Sequence, residues 1–157
     1  MSFFCKLYKK IFPIIVIFTD DFIPKRFSGY NIGFINFIRP DYSHDDCLIQ
    51  HEIRHSKQFW NNPIKYILGR WLKYFKFLPR CITKWSERKT FEFECEAYGE
   101  QLACIRRKFT SDEQVNKYLE IFASYVVTKY NLTGFTFDEA SKLIYRYFKK
   151  YYYKPDK

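Results

Sequence analysis

The apolar and polar positions change their period once along the chain, near Pro40. Before it, short apolar runs stand between turn residues. Ile14 to Phe18 reads as a short buried β-strand, closed by Thr19-Asp20-Asp21. Tyr30 to Ile38 reads as a second strand, stopped by Arg39-Pro40, with Ile32, Phe34 and Ile38 on one face and Ile35 and Phe37 on the other. Gly33 inside it reads as a place where another backbone, such as a bound peptide, approaches closely.

After Pro40 the spacing is helical. Ser43 or Asp45 can cap a helix from about His44 to Trp60, and Asn61-Asn62-Pro63 breaks it. A second helix is expected from about Ile64 to Leu78, before Pro79, and a third from roughly Lys84 to Lys108. Ser111-Asp112-Glu113-Gln114 has the form of a capping box for a fourth, ending near Tyr130, with Gly134 in the following turn. Thr136-Phe137-Asp138-Glu139 opens a last helix through Tyr152. The chain shows no internal repeat and no linker. The pattern therefore predicts a single α+β domain over 1–157, dominated by helix, with a two- or three-stranded sheet and a basic, aromatic C-terminal helix and tail from about 137 to 157.

Composition narrows the class. At 157 residues, 47% apolar and 22% aromatic, with 5 Gly and 6 Pro, the chain is neither disordered nor collagen-like, and it can bury a core. Its net charge of +10 is patchy: +7 between Asn62 and Phe91 and +5 from Lys142 to Lys157. The second helix sets Lys65, Arg70, Lys73 and Lys76 on one stripe among Ile64, Ile67, Leu68, Trp71, Leu72, Phe75 and Leu78. The simplest expectation is that its apolar side caps the core and its basic side is solvated. An anionic membrane surface, or a nucleic acid, would also suit it. The tail from Tyr145 to Lys154 places rings beside cations, as single-strand binders do, although its first half should pack as a terminal helix.

Five cysteines, an odd number with no CxxC pair, point to reduced, mostly buried thiols and a cytoplasmic protein, with membrane association as the alternative. The apolar run Ile11 to Phe18, preceded by lysines, resembles a short signal-type segment. No small-residue cleavage site follows it, and it is well short of the roughly 20 residues needed to span a bilayer, so the strand reading is preferred.

The chemistry is concentrated in His51-Glu52-Ile53-Arg54-His55. Residues four apart share one helix face, so both imidazoles can reach one metal ion, and Glu52 projects beside them as a proton acceptor for the water that the metal activates. Zinc is the expected metal, because it brings the pKa of such a water to about 7. Leu48, His51, Glu52, His55 and Phe59 form one stripe, and Ile49, Ile53 and Trp60 the adjacent one. The histidines thus sit on a face that should be buried, where unpartnered polar groups cost about 2–7 kcal/mol each. A third ligand is needed. In the helix after it, Glu94 is the one carboxylate embedded in the stripe Phe91, Glu94, Ala97, Tyr98, Gln101 and Leu102. Glu92 and Glu96 look solvated. His44 and the thiols of Cys47 and Cys95 remain competitors.

An HExxH helix followed by a helix carrying Glu94-Cys95-Glu96-Ala97 resembles the gluzincin zinc metallopeptidases, and in particular small bacterial and phage members that consist of little more than a strand, the HExxH helix and an ExxA-type helix. The resemblance runs from about Ser28 to Ala103. It implies His51, His55 and Glu94 as zinc ligands and Glu52 as general base. It also implies that the strand Gly33, Phe34, Ile35, Asn36, Phe37 is the edge along which a peptide or protein substrate lies. Many gluzincins have an Asp four residues after the ligand Glu; here that position is Tyr98. Tyr98 is either a hydrogen-bond donor to a developing oxyanion or a packed core tyrosine. Two functional expectations follow: a zinc-dependent peptidase, or a non-catalytic zinc-stabilised module that binds nucleic acid, an anionic membrane surface or a protein.

Overall fold

In a computed structural model, residues 4–7, 13–75, 77–108, 111–130 and 132–153 are described. The segment 8–12, Lys76 and residues 154–157 of the basic tail lie outside them. The architecture is α+β and helix-dominated, with a small mixed sheet. The chain divides into two compact units, Met1–Ile67 and Leu68–Lys157.

Among the described residues the first unit has four strands, β1 (Phe4–Leu7), β2 (Ile15–Phe18), β3 (Gly29–Ile32) and β4 (Ile35–Ile38), in the order β1-β2-β4-β3. The β1–β2 and β3–β4 pairs are antiparallel, and β2 and β4 run parallel. The expected strand at Ile15–Phe18 is present, with Val16 and Phe18 buried and the intervening isoleucines half-buried. The expected single strand from Tyr30 to Ile38 is instead a hairpin. Ile32 pairs with Ile35 across the two-residue turn Gly33-Phe34, where Gly33 takes φ +65°. A tight hairpin of this length favours a glycine at the first central position, which replaces the expected reason for Gly33. The turn passes unnoticed in the sequence because Phe34 is apolar and anchors it by packing, its ring 5.7 Å from that of Trp60. Ile32, expected inside, is 49% exposed.

Helix α1 (Asp46–Asn61) lies against this sheet. Asp45 caps it, accepting from the backbone N–H of Cys47 and Leu48 at 3.0 Å each. Ile49 and Ile53 pack with Ile14, Val16, Phe18 and Ile38, and each such buried side chain contributes about 1.5–3 kcal/mol. A buried polar network fixes the register of helix on hairpin. Asn31 Nδ2 donates to Asn36 Oδ1 (2.6 Å), Asn36 Nδ2 donates to Ser56 Oγ (2.9 Å), and Tyr66 Oη donates to Asn31 Oδ1 (2.7 Å).

Helix α2 (Pro63–Trp71) is shorter than expected: it gives way to a 3-10 turn at Leu72–Tyr74 instead of running to Leu78. The hydroxyls of Ser86 and Thr90 donate to the Gly69 carbonyl at 2.9 and 3.0 Å, and Ser86 Oγ also accepts from Lys73 N–H. These side chains satisfy the backbone groups that a helix end leaves open.

The second unit is helical. Helix α3 (Arg80–Lys108) starts four residues before the expected Lys84, because the Pro79 carbonyl accepts from the N–H groups of Ile82 and Thr83. It packs against α4 (Asp112–Lys129) and α5 (Phe137–Tyr152). The capping box at Thr136 forms as expected, with Thr136 Oγ1 accepting from Glu139 N–H and Glu139 accepting from Thr136 N–H. Ser111 opens α4 without a side-chain cap. A side chain at Gly99 would overlap Tyr147 and come within 3.0 Å of the α5 backbone at Ile144 and Phe148, so α3 and α5 cross there at glycine distance.

The expectation of reduced thiols throughout needs correcting. Cys47 and Cys104 are disulfide-bonded, whereas Cys81 and Cys95 are free. Among the described residues no helix is long and apolar enough to cross a membrane.

Two outcomes are expected. Gly99→Ala should lower unfolding stability by about 1–3 kcal/mol through overpacking, read in a urea titration. Thiol titration of the denatured, non-reduced chain should find Cys81 and Cys95 reactive, and Cys47 and Cys104 reactive only after reduction.

Candidate metal centre

Helix α1 brings His51, Glu52 and His55 to one buried side, as its spacing predicts. The two imidazoles meet edge to face, with centroids 5.0 Å apart and an 82° interplanar angle. His55 Nδ1 lies 2.9 Å from Gln58 Oε1. An amide oxygen only accepts, so this contact assigns the proton to Nδ1 and leaves the Nε2 lone pair for a metal. Gln58, one turn further along the same helix, was not singled out from the sequence; its i+3 spacing from His55 was the available signal.

Glu52 is buried with its carboxylate against the first residue of β3. A β-carbon at Gly29 would stand 2.5 Å from Glu52 Oε1, so glycine is what makes room for the carboxylate there. β3 is bonded to β4 alone and is an edge of the sheet among the described residues. This revises the expected substrate strand. Ile35, Asn36 and Phe37 belong to β4, whose backbone is paired on both sides, by β2 and β3. Gly33 and Phe34 are its turn, and Asn36 is buried in the polar network. The edge strand beside Glu52 is Gly29–Ile32. A strand-versus-turn assignment inside an apolar run decided this, and the local sequence does not carry it.

Glu94 lies on α3 in the predicted stripe, and Phe91, Ala97, Tyr98, Gln101 and Leu102 are buried with it. Two groups lie beside it that the sequence did not indicate. Arg70, assigned from spacing to a solvated basic stripe, turns inward, with Nη2 3.3 Å from Glu94 Oε1. Tyr130 lies beside Tyr98 and Glu94. Burial, followed by the charge of Glu94, holds Tyr130 protonated well above the usual phenol range. Tyr98 is buried and stacked on Phe122, with ring centroids 4.7 Å apart.

The neighbouring acids separate as follows. Glu92 pairs with Arg88 and Lys89 on its own helix. Glu96, expected to be solvated, is mostly covered, accepts from Tyr151 Oη and lies 3.6 Å from Lys150 Nζ.

Among the described residues, one set of His, Cys, Asp and Glu side chains could hold a metal ion: His51, His55 and Glu94. All three are buried, and their donor atoms lie within 4.8 Å of one another. Two imidazoles and a carboxylate suit a divalent transition metal, and the tautomer that Gln58 imposes on His55 is the one ligation needs. The competing donors drop out. His44 is exposed ahead of α1, and Cys47 is in a disulfide. Cys95 is buried, but its thiol is not among the clustered donor atoms. Comparison with protein-family models, with curated proteins and with solved structures finds no match to the chain.

Gln58→Ala is expected to weaken metal affinity about 10- to 100-fold, measured by competition with a chelator, with the helix content unchanged. Unaltered affinity would mean that Gln58 does not orient His55.

Proposed function

We propose that the protein is a zinc-dependent peptidase of gluzincin type on a zincin-like fold. The observation that carries this reading is the buried His51, His55 and Glu94 group with the Glu52 carboxylate one residue from the first ligand. His51, His55 and Glu94 would hold the ion. Zinc, when bound, supplies a Lewis acid that polarises a peptide carbonyl and acidifies a water.

The chain's own groups do the rest. Gln58 keeps His55 in the ligating tautomer, and Arg70 pairs with the Glu94 carboxylate. Glu52 accepts the proton of the attacking water and passes it to the leaving amine. A purely structural site closes four ligands around the ion and has no use for such a carboxylate. The open edge of β3 offers backbone groups to an extended substrate, and Gly29 sets that edge beside Glu52.

One observation favours the second reading, a non-catalytic module. The Arg70 guanidinium already neutralises part of the Glu94 charge, which lowers its strength as a ligand. Metal content separates the two first. About one zinc per chain, lost in both His55→Ala and Glu94→Ala, is the expected result of elemental analysis. Glu52→Gln should keep the zinc and lose hydrolysis of unfolded protein substrates by about 100-fold or more. No metal after reconstitution would sink the proposal. Metal retained without any cleavage by the wild type would favour the module.

A further inference from the structure

We propose that the outer face of α2, together with the turns that follow it, is a docking surface for an anionic lipid bilayer. Helix α2 is inverted relative to its sequence pattern. Tyr66 and Gly69 are buried and Arg70 turns inward to Glu94, all on one side of the helix. Ile64, Ile67, Leu68 and Trp71, at spacings of 3, 1 and 3, are left on the opposite side and exposed. Ile64 is 72% exposed and Trp71 50%. The loop after the 3-10 turn adds Phe75 and Phe77, ring to ring at 5.6 Å, with Phe77 81% exposed. Trp85 is exposed near the start of α3. Scattered surface apolar residues need no explanation; here an exposed helix stripe and an exposed ring pair follow one another within 22 residues of sequence.

The exposed charges near them in sequence select the occupant. Lys65, Arg80, Lys84 and Arg88 are exposed. The one acid between Asn62 and Phe91 is Glu87, which is half-buried and accepts from Thr133 Oγ1 at 3.0 Å. Aromatic side chains flanked by cations match the boundary between acyl chains and anionic headgroups, where rings sit at the interface and lysine and arginine reach outward. A fluid bilayer also accepts protrusions from a helix, a turn and a loop without requiring a shape-matched partner. At nine residues, α2 can lie in that interface but cannot cross it.

The full chain tests this by co-sedimentation with vesicles of phosphatidylcholine alone and of phosphatidylcholine with about 30% phosphatidylglycerol. Partitioning onto the anionic vesicles is expected, with little onto the neutral ones. The double variant Trp71→Ser, Phe77→Ser should weaken it about tenfold or more, and Arg80→Glu, Lys84→Glu several-fold. All four positions are exposed, and unchanged circular dichroism and metal content would show that the fold and the metal group are intact. Three results would overturn the proposal. The first is no partitioning; the second is partitioning that the aromatic variant leaves unaltered, which is bulk attraction by the net positive charge. The third is lipid-independent self-association or oligonucleotide binding that the aromatic variant abolishes while vesicle binding is absent. None of these readouts depends on whether Glu52 is catalytic.

Discussion

Helix α1 has to bury two adjacent faces of different chemistry, and the first unit is organised by that demand. The apolar face, Ile49 and Ile53, closes the sheet core. The polar face carries His51, Glu52 and His55 into a region where every hydrogen-bonding group needs a partner. A small rotation of the helix would serve one face at the expense of the other. The Asn31, Asn36, Ser56 and Tyr66 network prevents this, because Ser56 on α1 is bonded to a side chain of β4, and Asn31 of β3 is held by Tyr66. Gly29 completes the fit by leaving room for the Glu52 carboxylate.

The second unit meets the same problem with one carboxylate. Glu94 is embedded in an apolar stripe of α3, and its ion-pair partner Arg70 comes from α2, an element distant in sequence. Arg70 can reach it only if α2 turns Tyr66, Gly69 and Arg70 inward. The apolar stripe of that helix is then left facing out, so the exposed surface and the supported carboxylate are two sides of one helix orientation. The close approach at Gly69, where a β-carbon would stand 2.8 Å from Lys89 Cβ, belongs to the same arrangement.

Much of this was legible from residue types and spacing. The buried strand Ile15–Phe18, the α1 cap at Asp45, the capping box at Thr136 and the buried stripe around Glu94 all follow from local patterns with a local cause. The errors fall where the cause is distant. The end of α2 at Trp71 depends on hydroxyls of α3, which close its carbonyls. The Gly33-Phe34 turn is stabilised by packing on Trp60 rather than by turn residues of its own, so an apolar run concealed a hairpin and moved the sheet edge from β4 to β3.

By itself, the sequence determined which residues could meet on one helix. The i, i+4 relation of His51 and His55, the adjacency of Glu52 and the placement of Glu94 among apolar positions are consequences of helical geometry, which depends on neighbours within a few residues. Only the tertiary structure decided which groups support them and which surfaces stay open. Arg70 pairing with Glu94, the disulfide-bonded state of Cys47 and Cys104, and the outward face of α2 depend on side-chain direction and helix rotation. Packing across the whole unit sets those two quantities, and no local window of sequence contains them.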